Sequence, residues 1–202
     1  PIILYNFGKQ SHELNISLVN DILKERKTDT DGKVASNMGG WHSTLKMEDR
    51  YDSFQTLRDK IEECSNDYCR QTGHEDGLIV ERLWANISGP GDINMPHHHG
   101  GSCLTGVYYP MYEMVDGNMK VDYQDNPKLL PGSWDGKRGG TVVFHDPVYG
   151  QKIRLRKTKD VSPFTIEHYH LYPVSGLLVV FPAHLIHTVT PFKDKKIRMS
   201  IS

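Results

Sequence analysis

Along the first third of the chain, apolar residues recur at helical spacing. Leu14, Leu18 and Ile22 mark one face of a segment that has Ser11 in the N-cap position and runs to about Lys27. Phe54, Leu57, Ile61 and Cys64 mark a second, between about Asp49 and Gln71, with charges on its other face. Ahead of both, the β-branched and aromatic residues 2–7 read as a short strand. After Gly73 the texture changes to short alternating runs broken by Gly, Pro, Asn and Asp. These predict strands over 78–88, 93–99, 103–112, 119–123, 141–146, 151–156, 164–172, 177–183, 186–190 and 196–202. Helices first and strands after predict an α+β architecture, a double-sheet jelly roll with the N-terminal helices packed on one sheet. Two polar segments, 28–40 and 125–140, read as loops, and the first ends in Gly39 and Gly40 just before Trp41.

A chain of 202 residues has room for one domain with a substantial core. Residues 1–202 therefore read as a single domain, with 1–75 a helical backing layer and 76–202 the β core. Lys and Arg total 24 against 25 Asp and Glu, which leaves no net field to hold nucleic acid or an anionic membrane. The three cysteines are odd in number and not spaced as a zinc knuckle, so they suit reduced thiols, with Cys64 and Cys69 read as packing residues. No apolar run approaches the ~20 residues of a membrane span, and PIILYNFGK is too short for a signal peptide. The protein is expected to be soluble and cytoplasmic.

The chemistry gathers in Asn94 to Tyr109, NMPHHHGGSCLTGVYY. On a strand His97 and His99 share one face, roughly 6.6 Å apart at ~3.3 Å per residue, while His98 faces away. The pair suits one metal ion, or two ordinary strand histidines. A second cluster of signals lies in GLLVVFPAHLIHTVTPFKDKKIRMSIS, residues 176–202. His187 sits between apolar residues there as the natural third ligand. Arg198 and Ser200, two apart on the final strand, share a face and form a fork for a carboxylate. Trp41, His42 and Ser43 either line a pocket mouth or, for Trp41, anchor the loop onto the core. His168 and His170 also share a strand face and are a rival metal pair, but with no carboxylate fork after them they read as exposed strand residues. His145 with Asp146 and Pro147 reads as a strand end and turn rather than a ligand pair.

The order His97-x-His99, His187, Arg198-x-Ser200 resembles the non-haem Fe(II)- and 2-oxoglutarate-dependent oxygenases. In that superfamily a double-stranded β-helix carries an HxD pair, a distal His and an RxS pair. CLTGVYY resembles the strand after the HxD pair in prolyl hydroxylases, whose second tyrosine, here Tyr109, reaches the 2-oxoglutarate. GGWHS, LWANISGPGDINMPHHHGGSCLTGVYY, VVFHDP and FPAHLIHTVTPFKDKKIRMSIS together resemble a small branch of such oxygenases in bacteria and phages. The resemblance implies Fe(II) on His97, His99 and His187, and 2-oxoglutarate with its far carboxylate on Arg198, Ser200 and Tyr109. It also implies oxygen and a primary substrate as partners, and hydroxylation with release of succinate and carbon dioxide. The prolyl-hydroxylase likeness leans toward a peptidyl substrate.

One departure stands out, because His99 occupies the place of the usual Asp or Glu. Three imidazoles also suit zinc, and a carboxylate from Asp92, Asp122 or Asp146 is a further option. A cupin-type metalloenzyme would follow its HxH pair within a few residues by a Glu ligand, whereas the first Glu after His99 is Glu113. A metal-binding jelly-roll module without oxygenase activity is the remaining alternative. The primary substrate and oligomeric state leave no readable mark, although a final strand ending at Ser202 reads as an edge open to pairing.

Overall fold

The computed structural model describes residues 1–75, 77–111, 113–131, 139–146, 168–192 and 197–202. Two six-stranded antiparallel sheets face one another. The first has the order β1 (Ile3–Asn6), β12 (Leu177–Pro182), β6 (Leu104–Tyr109), β14 (Arg198–Ile201), β4 (Ala85–Ser88) and β3 (Trp41–His42). The second has the order β2 (Asn37–Met38), β5 (Ile93–His97), β13 (His187–Val189), β10 (Val142–His145), β11 (His168–Leu171) and β9 (Leu130–Pro131). A small hairpin pairs β7 (Glu113–Val115) with β8 (Asn118–Lys120).

Strand alternation sorts the first sheet's side chains into two layers. Tyr108, Leu178, Val180, Met199 and Ile201 face outward, where they pack with Leu18, Ile22, Phe54 and Leu57 of α1 (His12–Thr28) and α2 (Asp52–Gln71). Val107, Tyr109, Leu177, Val179 and Phe181 face inward and meet Val142, Phe144 and Leu171 of the second sheet. The helices therefore cover one sheet, as the pattern predicts. By the same alternation Arg198 and Ser200 on β14 point away from the helices, into the space between the sheets.

Several sequence expectations are corrected. Ser11 does sit at the N-cap of α1, but its hydroxyl donates to Gly8 O at 2.7 Å and accepts from Asn15 Nδ2 at 3.1 Å instead of capping the helix. The strand expected over 78–88 is limited to β4. Backbone donors before it are taken by side chains: Asn66 Oδ1 accepts from Gly77 and Leu78, Glu62 Oε1 from Val80, and Glu48 Oε2 from Leu83. With those donors satisfied locally, no ladder is needed. The final strand is not an edge, since β14 lies between β6 and β4 and all four of its residues are buried. The strand expected over 151–156 lies outside the described residues, as do 132–138 of the second loop and residues 164–167 of the strand expected over 164–172.

Candidate metal centre and anion pocket

β5 and β13 are neighbours, and their register places His97 opposite His187. β5 ends at His97, so His99 lies just beyond the strand expected to carry it. Its backbone N–H donates to Ala183 O at 2.8 Å, which holds it against the end of β12. The result is a cluster in which one ligand atom from each of His97, His99 and His187 lies within 4.8 Å of the others. Ring centroids are 4.3 Å apart for His97 and His187, and 5.2 Å for each of the other two pairs. His98 is exposed, as the alternation predicts.

The tautomers favour metal binding. His97 Nδ1 lies 2.7 Å from Met95 O and His187 Nδ1 lies 2.9 Å from Leu185 O. A carbonyl only accepts, so both Nδ1 atoms carry the proton and both Nε2 atoms keep a lone pair. Burial, with the neighbouring imidazoles adding to it, pushes the pKa of His187 down to about 3 and that of His99 down to about 4; burial lowers that of His97 as well. Phe181 and Phe144 supply part of the apolar wall behind His187, at ring distances of 4.9 and 6.2 Å. Three neutral imidazoles converging from a dry wall form a donor set for a borderline divalent cation.

The inward face of β14 and β6 forms the second part of the site. Arg198 is 2% exposed, Ser200 3% and Tyr109 0%. The Arg198 guanidinium lies 5.1 Å from the centroid of the Tyr109 ring. Burial raises the pKa of the Tyr109 phenol, and the Arg198 charge opposes that rise. Among the described residues Tyr109 Oη and Arg198 Nε are buried with no well-aligned hydrogen-bond partner, although the guanidinium stands close enough to the phenol to hold its pKa back, and no carboxylate there forms an ion pair with Arg198. Each such orphan costs about 1–3 kcal/mol, more for a charged group. A carboxylate from a ligand would satisfy both.

The three histidines, Arg198 and Ser200 line one cleft of about 830 Å³. Its wall includes Trp84, which stacks on His42 (ring distance 5.7 Å, interplanar angle 9°) and touches His99 at 5.9 Å. His42 is thus a pocket residue, whereas Trp41 is core: it is 4% exposed and its Nε1–H donates to Asp29 O at 2.8 Å. The sequence missed Trp84, Ser36, Asn86 and Asn94 as lining residues.

None of the proposed substitute carboxylates joins the histidines among the described residues. Asp92 precedes β5, roughly 16 Å along the strand from His97. Its Oδ2 accepts from Gly89 N at 2.6 Å, and its carboxylate occupies the space a Cβ on Gly39 would need. The paired glycines thus make room for a turn aspartate. Asp122 Oδ2 accepts from Gln124, and Asp146 stands outside the cluster. The expectation that His168 and His170 are exposed is corrected: β11 is an inner strand between β10 and β9, His170 is 4% exposed and His168 is half-buried. His145 does end β10, opposite His168.

Residues 82–202 match a protein family described as "Putative 2OG-Fe(II) oxygenase". No curated protein sequence matches the chain significantly. Among solved structures the fold is similar to a prolyl-4-hydroxylase of Pseudomonas putida, with TM-score 0.61 and 14% identity over 99% of this chain and 89% of that one. It is also similar to a prolyl hydroxylase of Trichoplax adhaerens, in complex with a hypoxia inducible factor peptide fragment, with TM-score 0.60 and 12% identity over 99% and 81%. A viral collagen prolyl hydroxylase of Paramecium Bursaria Chlorella virus-1, in complex with 2OG, gives TM-score 0.53 and 14% identity over 99% and 93%.

Proposed function

The chain belongs to the 2OG-Fe(II) oxygenase family, and on that premise we propose that it is a hydroxylase-type dioxygenase, one domain over 1–202 whose two sheets form a double-stranded β-helix. The observation that carries the reading is the buried guanidinium of Arg198, which lines the same cleft as three convergent neutral imidazoles. Neither half of that arrangement is explained by packing alone.

In this reading His97, His99 and His187 hold the iron through neutral ring nitrogens. Arg198, with Ser200 and Tyr109, holds the far carboxylate of 2-oxoglutarate, so that two orphaned buried groups find their partner when the cosubstrate arrives. When bound, iron and 2-oxoglutarate supply the oxidising chemistry, with succinate and carbon dioxide as co-products. The chain orients them and keeps water from the rear of the site through Phe144 and Phe181. The primary substrate enters past Trp84 and His42. A peptidyl substrate is favoured by the fold's likeness to prolyl hydroxylases, one of them holding a peptide.

A zinc-holding module without oxygenase activity is the second reading, favoured by the lack of a carboxylate in the described cluster. Anaerobic titration of the Fe(II)-loaded protein with 2-oxoglutarate separates the two. A visible charge-transfer band and slow succinate formation on admitting air are expected. Tight metal binding with neither band nor succinate would replace the oxygenase reading by the module.

A further inference from the structure

Ser36 lies in the loop before β2, where nothing in the ligand pattern calls for a functional residue. Its carbonyl accepts from Met95 N–H at 2.8 Å, which pins the loop to β5. Asn94 Nδ2 donates to Ser36 Oγ at 3.1 Å, and Ser36 Oγ lies 3.4 Å from His97 Nε2. Because His97 Nδ1–H is already committed to Met95 O, Nε2 is an acceptor, and the Ser36 hydroxyl is the group that donates. Asn94 thus takes one lone pair of Oγ and holds the oxygen in place, and the Nε2 lone pair is the acceptor toward which the Ser36 O–H turns.

A cation on the three histidines takes the same Nε2 lone pair. The Ser36 hydroxyl would then be free to donate to another acceptor near the cation. A cation held by three neutral imidazoles would have one negative charge fewer around it than in the usual two-histidine, one-carboxylate set, which favours an anionic ligand. We propose that Ser36, oriented by Asn94, is an anion-positioning residue of the metal centre: its hydroxyl passes from His97 Nε2 to an anion bound on the cation. Under the oxygenase reading, on which that identification rests, the anion is the metal-bound carboxylate of 2-oxoglutarate.

The test uses the full chain loaded with Co(II), whose visible spectrum reports its ligands, and titrates it with azide and with 2-oxoglutarate. Ser36→Ala is expected to leave Co(II) affinity unchanged or tighter, since a competitor for Nε2 is lost. It is expected to weaken both anions roughly tenfold, the scale of one hydrogen bond to a charged group. Ser36→Thr should restore binding, and Asn94→Ala should reproduce part of the loss. A merely structural Ser36 would weaken the metal together with the anions, and that result would overturn the proposal, as would anion affinities equal to wild type. If the wild-type Co(II) protein takes azide but not 2-oxoglutarate, the oxygenase reading falls, and the azide comparison alone decides the role of Ser36.

Discussion

A guanidinium that is 2% exposed, with no carboxylate paired to it among the described residues, is expensive to keep. The Tyr109 ring offsets part of the cost through its face. Replacing Arg198 by Lys keeps the charge but loses the fork, so 2-oxoglutarate affinity should fall about 10–100-fold, the scale of hydrogen bonds to charged groups. Metal affinity should not change, and calorimetric titration of both ligands reads the two effects separately. His187→Ala removes the best-buried of the three imidazoles. Protein passed through gel filtration with the metal should then carry well under one equivalent by elemental analysis, and full occupancy would remove His187 from the ligand set. His99→Asp adds the charge that the family's usual pattern supplies. Fe(II) should be held more tightly than in wild type in competition with a chelator.

At the level of elements, the site depends on how β14 is seated. Gly140, just before β10, has φ +68°, and a Cβ there would come within 2.9 Å of both Arg198 Cδ and Phe192 Cδ2. Gly140→Ala should therefore displace the guanidinium, lowering 2-oxoglutarate affinity and also the melting temperature, with the metal site left intact. Thermal unfolding alongside ligand titration checks both. The three clustered histidines are legible in the sequence because their residue type is chemically specific and alternation gives their faces. His99 shows the limit of that rule, since it reaches the cluster from beyond the end of β5. Residues 78–84 read as a strand from their sequence pattern, yet the backbone donors of Leu78, Val80 and Leu83 are taken by Asn66, Glu62 and Glu48. Those bonds join positions 12 to 35 apart and leave no local signature. The same holds for Ser36, 61 positions from His97, and for the inner place of β14, because strand order is set by distant pairings.

Across the whole molecule, folding, proton binding and metal binding are linked. No described helix is long and apolar enough to cross a membrane. The ordinary pKa of histidine is ~6.5, and in the folded chain His187 is held down to about 3 and His99 down to about 4. Between those values and 6.5 the unfolded chain binds protons that the folded chain does not. Stability of the metal-free protein is therefore fully present above pH ~6.5 and falls as the pH drops below it, by roughly 1 kcal/mol per pH unit for each such imidazole. A metal bound only by the folded chain adds about 2.7 kcal/mol at a concentration 100 times its dissociation constant. For a chain of this size that raises the melting temperature by roughly 5–10 °C at neutral pH. The gain should shrink on acidification, because protons compete for the same three nitrogens. Melting curves with and without Co(II) between pH 5 and 8 should thus converge toward the acid end. Parallel curves would mean that the cation stabilises the fold from somewhere other than His97, His99 and His187.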